Sequence, residues 1–299
     1  MSIRLRTACF ALGLAGAVLA LAGPPSVAGP AAPEPAILVA AAGDIACDPE
    51  LDIPDGSCRD AATARMIDRR DPSAVLALGD LQYEDGALDK YLLGYDQTWG
   101  SFKASTRPAI GNHEYRTADA QGYHDYFRAS AGGQDGYYAF DADGWRLYSI
   151  NAECAHIGCK AEREWMRADV LAHPRSCQLM FMHKPLYSSG PHDESSPRRF
   201  WRVGYRHRFE LALAGHDHLY ERFAPMDHRG NVVKDGIRSF IVGTGGKSLH
   251  SLGTVAKGSR VRFTEDFGIL LLTLRPGSYD WRFRTIGGVT VDTGTGVCH

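Results

Sequence analysis

Five short apolar runs in this 299-residue chain each finish on Gly, Asp or His, and that pattern constrains the fold more than any bulk property. They are ILVAAAGD (37–44), AVLALGD (74–80), QLMFMH (178–183), ELALAGH (210–216) and SFIVGTGG (239–246). Runs of this length with punctuating ends read as strands buried on both faces. Segments 59–70, 87–104, 160–173 and 198–208 between them carry helix-compatible patterns. Aromatic alternation over 136–150 predicts a hairpin turning at Asp143-Gly144, and 269–286 predicts a second turning at Pro276-Gly277. Strands alternating with helices, with antiparallel hairpins later, make an α/β sandwich with mixed sheets. Asp44, Asp80, His183 and His216 fall at or just past the ends of buried strands. The binding crevice of an open α/β sheet lies at those carboxyl ends.

The amino terminus carries an address rather than a fold. Arg4 and Arg6 precede an apolar stretch over 8–22, and Ser26, Val27 and Ala28 follow it. This is the layout of a signal peptide over residues 1–28, and it predicts a secreted, extracellular protein. A membrane anchor is the alternative, but the apolar stretch falls short of the roughly 20 residues a spanning helix needs. Residues 29–36 are rich in Pro and Ala and read as a flexible spacer, and 37–299 as one catalytic domain. The formal net charge of −2 gives no case for a nucleic-acid or anionic-membrane partner. Of seven cysteines, Cys9 lies in the leader, and an even set remains: Cys47, Cys58, Cys154, Cys159, Cys177 and Cys298. In an exported protein these read as disulfides, and six cysteines allow 15 connectivities. Locality along the chain favours Cys47–Cys58, Cys154–Cys159 and Cys177–Cys298.

The polar strand ends belong to a longer series: G-D (43–44), G-D-L-Q-Y (79–83), G-N-H-E-Y (111–115), M-H-K-P-L-Y (182–187) and G-H-D-H (215–218), the last continuing as HLYER (218–222). In this order the series resembles the calcineurin-like metallophosphoesterase superfamily, and within it the purple acid phosphatases and their secreted bacterial relatives. The resemblance implies a four-layer α/β/β/α sandwich of two mixed sheets flanked by helices. It implies a first metal on Asp44, Asp80, Tyr83 and His218, and a second on Asp80, Asn112, His183 and His216, with Asp80 bridging. Bridging carboxylate, amide oxygen and imidazole form a mixed O/N set suited to Fe, Zn or Mn rather than Ca. Two such ions about 3.5–4 Å apart clamp the attacking and departing oxygens of an in-line displacement.

Many members of the superfamily carry Asp-x-His in the first motif, where this chain has Ala46. Tyr83 offers a phenolate in compensation, as in the purple acid phosphatases, and favours Fe(III) there with divalent Fe, Zn or Mn at the second site. The implied reaction is attack of a metal-bound hydroxide on a small phosphorylated substrate. His113 would steady the phosphoryl oxygens or assist the leaving group, beside Asn112, and His192, in the stretch 188–199, would reach the substrate. An acid-phosphatase-like phosphomonoesterase is the first reading; a phosphodiesterase on the same site and a non-catalytic metal-bearing binding protein are the alternatives. H-E-x-x-H is absent, which removes one class of metallopeptidase. GTGG (243–246) lacks the spacing of a phosphate loop and reads as a turn, and His124, His156, His173, His207, His228 and His250 read as surface residues.

Overall fold

The computed structural model describes residues 36–192 and 194–299. The leader and all but the last residue of the spacer predicted above lie outside those residues. Thirteen strands run in chain order: β1 Ile37–Ala42, β2 Ala74–Leu78, β3 Thr106–Ala109, β4 Tyr138–Ala142, β5 Trp145–Ile150, β6 Cys177–Met182, β7 Leu211–Ala214, β8 Tyr220–Phe223, β9 Arg238–Val242, β10 Ser259–Phe263, β11 Gly268–Arg275, β12 Ser278–Thr285 and β13 Thr290–Val297. They form a six-stranded sheet ordered β13-β12-β11-β1-β2-β3 and a seven-stranded sheet ordered β10-β8-β9-β7-β6-β5-β4. In the first sheet the parallel run β1-β2-β3 reaches one edge, with antiparallel β11, β12 and β13 beside it; in the second the parallel run β5-β6-β7-β9 is central, flanked by antiparallel β4 on one side and β8 and β10 on the other. Both sheets are therefore mixed.

Alternation along β6 shows how the layers assemble. Leu179 and Phe181 join the apolar core shared with β1, β2 and β11, while Met180 and Met182 face the cluster containing Met166, Val170, Phe200 and Trp201. Successive side chains of a strand point to opposite faces. One face of β6 therefore packs on the other sheet, and its opposite face packs on helices Lys160–Ala172 and Arg198–Arg206. Helix Asp60–Asp68 buries Ala64 and Ile67 in the shared core beside the first sheet. The result is helix, sheet, sheet, helix. Strands covered on both sides carry no polar face, which is why β1, β2 and β6 are wholly apolar or nearly so.

Three disulfides pin the loops: Cys47–Cys58, Cys154–Cys159 and Cys177–Cys298, with Cα–Cα separations of 6.1, 5.0 and 5.4 Å. These are the pairs favoured by locality. The last ties the end of β13 to the start of β6, across the two sheets. Among the described residues no helix is long and apolar enough to cross a membrane.

Candidate metal centre

Five of the strands in parallel pairing, β1, β2, β3, β6 and β7, each end just before a polar side chain at their carboxyl ends. Those side chains are Asp44, Asp80, Asn112, His183 and His216, and they converge. Asp80 Oδ2 lies 3.2 Å from the Tyr83 hydroxyl and 3.2 Å from His183 Nε2, so one carboxylate faces two groups of partners. On one side the Tyr83 oxygen is 2.9 Å from Asp44 Oδ1 and 3.0 Å from His218 Nε2. On the other, His183 Nε2 lies 3.1 Å from Asn112 Oδ1 and 3.1 Å from His216 Nδ1. Every ligand named from the sequence is thus brought into one cluster, and Asp44, Asp80, Tyr83 and His183 in it are almost wholly buried.

The backbone is bent to make this possible. Asp44, Asp80 and His216 adopt φ of 60°, 49° and 69°, in the left-handed region that ordinary side chains avoid. Such strain collects at functional sites and persists only where surrounding contacts over-determine it. The contacts are present. Glu114, fully buried, accepts hydrogen bonds from the backbone N–H of Asp80 (2.9 Å), Leu81 (2.8 Å) and Gly111 (2.8 Å), and from the Tyr91 hydroxyl (3.1 Å). The His216 N–H donates to Asp44 Oδ2 at 2.9 Å, and the His113 N–H to Asp80 Oδ1 at 2.8 Å. Gly215 allows the Asp44 approach, because a Cβ there would sit 2.6 Å from Asp44 Oδ2.

Second partners orient the imidazoles. His183 Nδ1 donates to the Leu78 carbonyl at 2.9 Å, and His218 Nδ1 to the Ser248 carbonyl at 2.6 Å. Each bond turns Nε2 into the cluster, an arrangement that fixes ring direction and offers that nitrogen to a metal once its proton is displaced. Burial disfavours a proton on His183, but the Asp80 carboxylate beside it outweighs burial and lifts it to about 10. Burial and the neighbouring His183 push His216 down to about 3. The Tyr83 phenol is held well above its ordinary range by burial and by Asp44 and Asp80. So many acceptor atoms without a resident positive charge other than a shared proton fit a cation site. The donor set, carboxylate, phenol, amide and imidazole, suits Fe, Zn or Mn.

Two histidines stand at the rim. His113 donates from Nδ1 to the Glu84 carbonyl at 2.6 Å, and its Nε2 lies 3.8 Å from Asp80 Oδ2. His192 packs its ring 4.4 Å from that of His216, and its Nδ1 lies 2.7 Å from Asp217 Oδ1.

Several residues at the site were not singled out from the sequence. Glu114 falls inside the G-N-H-E-Y motif, yet its role in holding three amides is a tertiary fact. Asp217, between two histidines of the cluster, is fully buried. Burial raises its carboxyl, but the nearby His250, Ser188 and His192 outweigh that and keep it below the usual range. His250, read as a surface residue, corrects that expectation. Its ring stacks face to face on His218 at 4.0 Å, and its Nδ1 accepts the His218 N–H at 3.1 Å. Gly245 of the GTGG turn donates its N–H to the Gly43 carbonyl at 2.9 Å, pressing that turn against the Asp44 loop.

A family model, calcineurin-like phosphoesterase, matches residues 37–220, a span that contains the whole cluster. The chain belongs to the calcineurin-like phosphoesterase family. No match is found among curated proteins. Solved structures share the fold at low identity. Purple acid phosphatase PPD1 from yellow lupin seeds superposes with a TM-score of 0.68 at 19% identity, over 88% of this chain and 54% of that one. This phosphoesterase thus spans about half the length of the lupin protein. GAP50, named as the anchor in the inner membrane complex of Plasmodium, gives 0.67 at 13% identity, covering 88% of this chain and 89% of its own. PhoD gives 0.59 at 12% identity, covering 90% and 70%.

Proposed function

We propose that this phosphoesterase is an exported, dinuclear phosphate-ester hydrolase of the purple-acid-phosphatase kind, acting first on phosphomonoesters. One observation carries the reading: Asp80 Oδ2 stands 3.2 Å from both Tyr83 and His183, with a full set of donors beyond each. Asp44, Asp80, Tyr83 and His218 would hold one cation, iron in the ferric state by the hardness of a phenolate. Asp80, Asn112, His183 and His216 would hold a divalent one. When bound, two such ions supply Lewis acidity toward the phosphoryl oxygens and lower the pKa of the attacking water.

The remaining work falls to the chain. Glu114 and the bent loops keep Asp80 aimed at both donor sets, so little reorganisation accompanies substrate binding. His113, with Nδ1 committed to the Glu84 carbonyl, presents Nε2 beside Asp80, where it steadies a phosphoryl oxygen or protonates the leaving group. His192, oriented by Asp217, reaches the substrate from the opposite rim. Export is supported by the leader pattern in 1–28 together with three disulfides, which persist in oxidising compartments.

Hydrolysis of para-nitrophenyl phosphate and of its bis-ester by the disulfide-bonded protein, before and after metal removal, tests the proposal. Turnover of the monoester that vanishes on chelation and returns with iron and a divalent ion is the expected result. Turnover of neither ester by folded, metal-loaded protein would overturn it. The second reading, a non-catalytic binding protein, rests on the shared fold of GAP50, and predicts that outcome.

A further inference from the structure

On the outer face of the second sheet, helices Lys160–Ala172 and Arg198–Arg206 lie side by side over one apolar cluster. Helix Arg198–Arg206 buries Phe200, Trp201 and Val203, so Arg199, Arg202 and Arg206, spaced by three and four residues, share its exposed stripe. Arg163 and Arg167 stand one turn apart on the neighbouring helix. Cavities of about 370 and about 280 Å³ open between them, and Arg163, Arg199 and Arg202 line both, so the two form one trough. Of these arginines, only Arg163 comes within 4 Å of a carboxylate among the described residues, that of Glu164 at 3.8 Å, and Arg199 acts on the buried Glu162 from farther off. The field is felt nearby: burial and then Arg167 and Arg206 push His207 below its ordinary range. A chain of net charge −2 has gathered six guanidinium groups, Arg198 included, around this trough. Like charges one turn apart on a helix are destabilising, and a bound anion would offset that repulsion.

We propose that this trough is a docking site for an unbranched chain of phosphate groups. Guanidinium forks bind phosphate bidentately, and arginines repeating each helical turn, about 5 Å of rise, suit an anion that repeats rather than a single phosphate. Nucleic acid fits less well. Single-stranded binding needs aromatic platforms for the bases, and no Phe, Tyr or Trp lines the trough. A residue of the trough's wall is the chain neighbour of one that touches the cluster. Ser195 forms part of that wall, and the adjacent Glu194 places Oε1 3.6 Å from His216 Nε2. A docked chain therefore presents phosphate groups at the rim of the metal centre, which narrows the substrate class to phosphate polymers. That last step rests on the phosphoesterase reading, whereas the docking does not.

Fluorescence anisotropy with end-labelled inorganic polyphosphate, on full-length Asp80→Asn protein, tests docking without turnover. Replacing Arg199, Arg202 and Arg206 together by Gln is expected to weaken binding about tenfold or more and to lower the salt slope by roughly 2 to 3. Arg163→Gln with Arg167→Gln, on the other helix, is expected to weaken it in the same direction, which guards against a local folding defect in the first variant. Unchanged affinity in both variants would overturn the site. Tighter binding of a single-stranded oligonucleotide of equal charge would overturn the base-free ligand. In active protein, polyphosphate is expected to inhibit hydrolysis of a small aryl phosphate, with an inhibition constant that rises about tenfold in the Arg199, Arg202, Arg206 variant. Loss of docking without any change in that constant would separate the trough from the metal centre.

Discussion

The two halves of the cluster share Asp80 but differ in chemistry. The Tyr83 half gathers a phenol and a carboxylate, with one imidazole, His218, stacked on His250. The Asn112 half gathers a neutral amide and two imidazoles, one of them forced to stay unprotonated, at about 3, by burial and its neighbour. Burial beside two carboxylates holds the Tyr83 proton in place, so only a strongly charged cation would displace it. Were both halves to hold cations, the first would suit high charge and the second a softer divalent ion. A single sequence motif, G-H-D-H, feeds both, because the left-handed turn at His216 sends the two histidines to opposite halves.

Breaking the shared residue is the largest perturbation. Asp80→Asn removes the common anion, and phosphatase turnover is expected to fall to background with both metals lost. His216→Ala reaches only the Asn112 half. Loss of outer-sphere partners alone costs about 10–100-fold, so removing this inner donor is expected to cost at least about 100-fold. One metal should remain on the Tyr83 side, read by metal analysis. Glu114→Gln tests how both halves are aimed at once. An amide turned toward three N–H donors loses acceptor capacity, and metal affinity is expected to fall about tenfold on both sides, with a lower Tm. Tyr83→Phe sharpens the contrast by spectrum. The visible band expected from phenolate and ferric iron should vanish while the divalent site stays filled. His250→Ala is the mildest. Losing one hydrogen bond of about 1 kcal/mol should weaken the Tyr83-side metal about fivefold and leave the other unchanged.

Four of the five strands that lead into the cluster, β1, β2, β6 and β7, were legible because burial on both faces makes them continuous apolar runs. Strands lacking that signature were not. β3, Thr106–Ala109, is an edge strand holding Pro108, whose carbonyl accepts the hydroxyls of Tyr123, Tyr138 and Ser149. β13 carries Gly294 and Gly296, which look like loop residues in sequence, yet the rings of Trp281 and Tyr279 lie directly over them. The expected helix over 87–104 is broken, with an α-helical turn over Leu88–Leu93 followed by two 3₁₀ segments. In the site, the residues that converge on Asp80 could be picked out by motif order. Glu114, Asp217 and His250 could not, since each acts on a backbone amide or ring far along the chain. Local sequence carries no signal for such contacts.

In the proposed centre one carboxylate joins two cation sites. The decisive measurement is metal content per chain, on purified wild-type protein and on folded Asp80→Asn. Two ions per chain are expected in the first and none in the second, with turnover following the metal. A single ion per chain in wild-type protein, retained after Asp80→Asn, would contradict it.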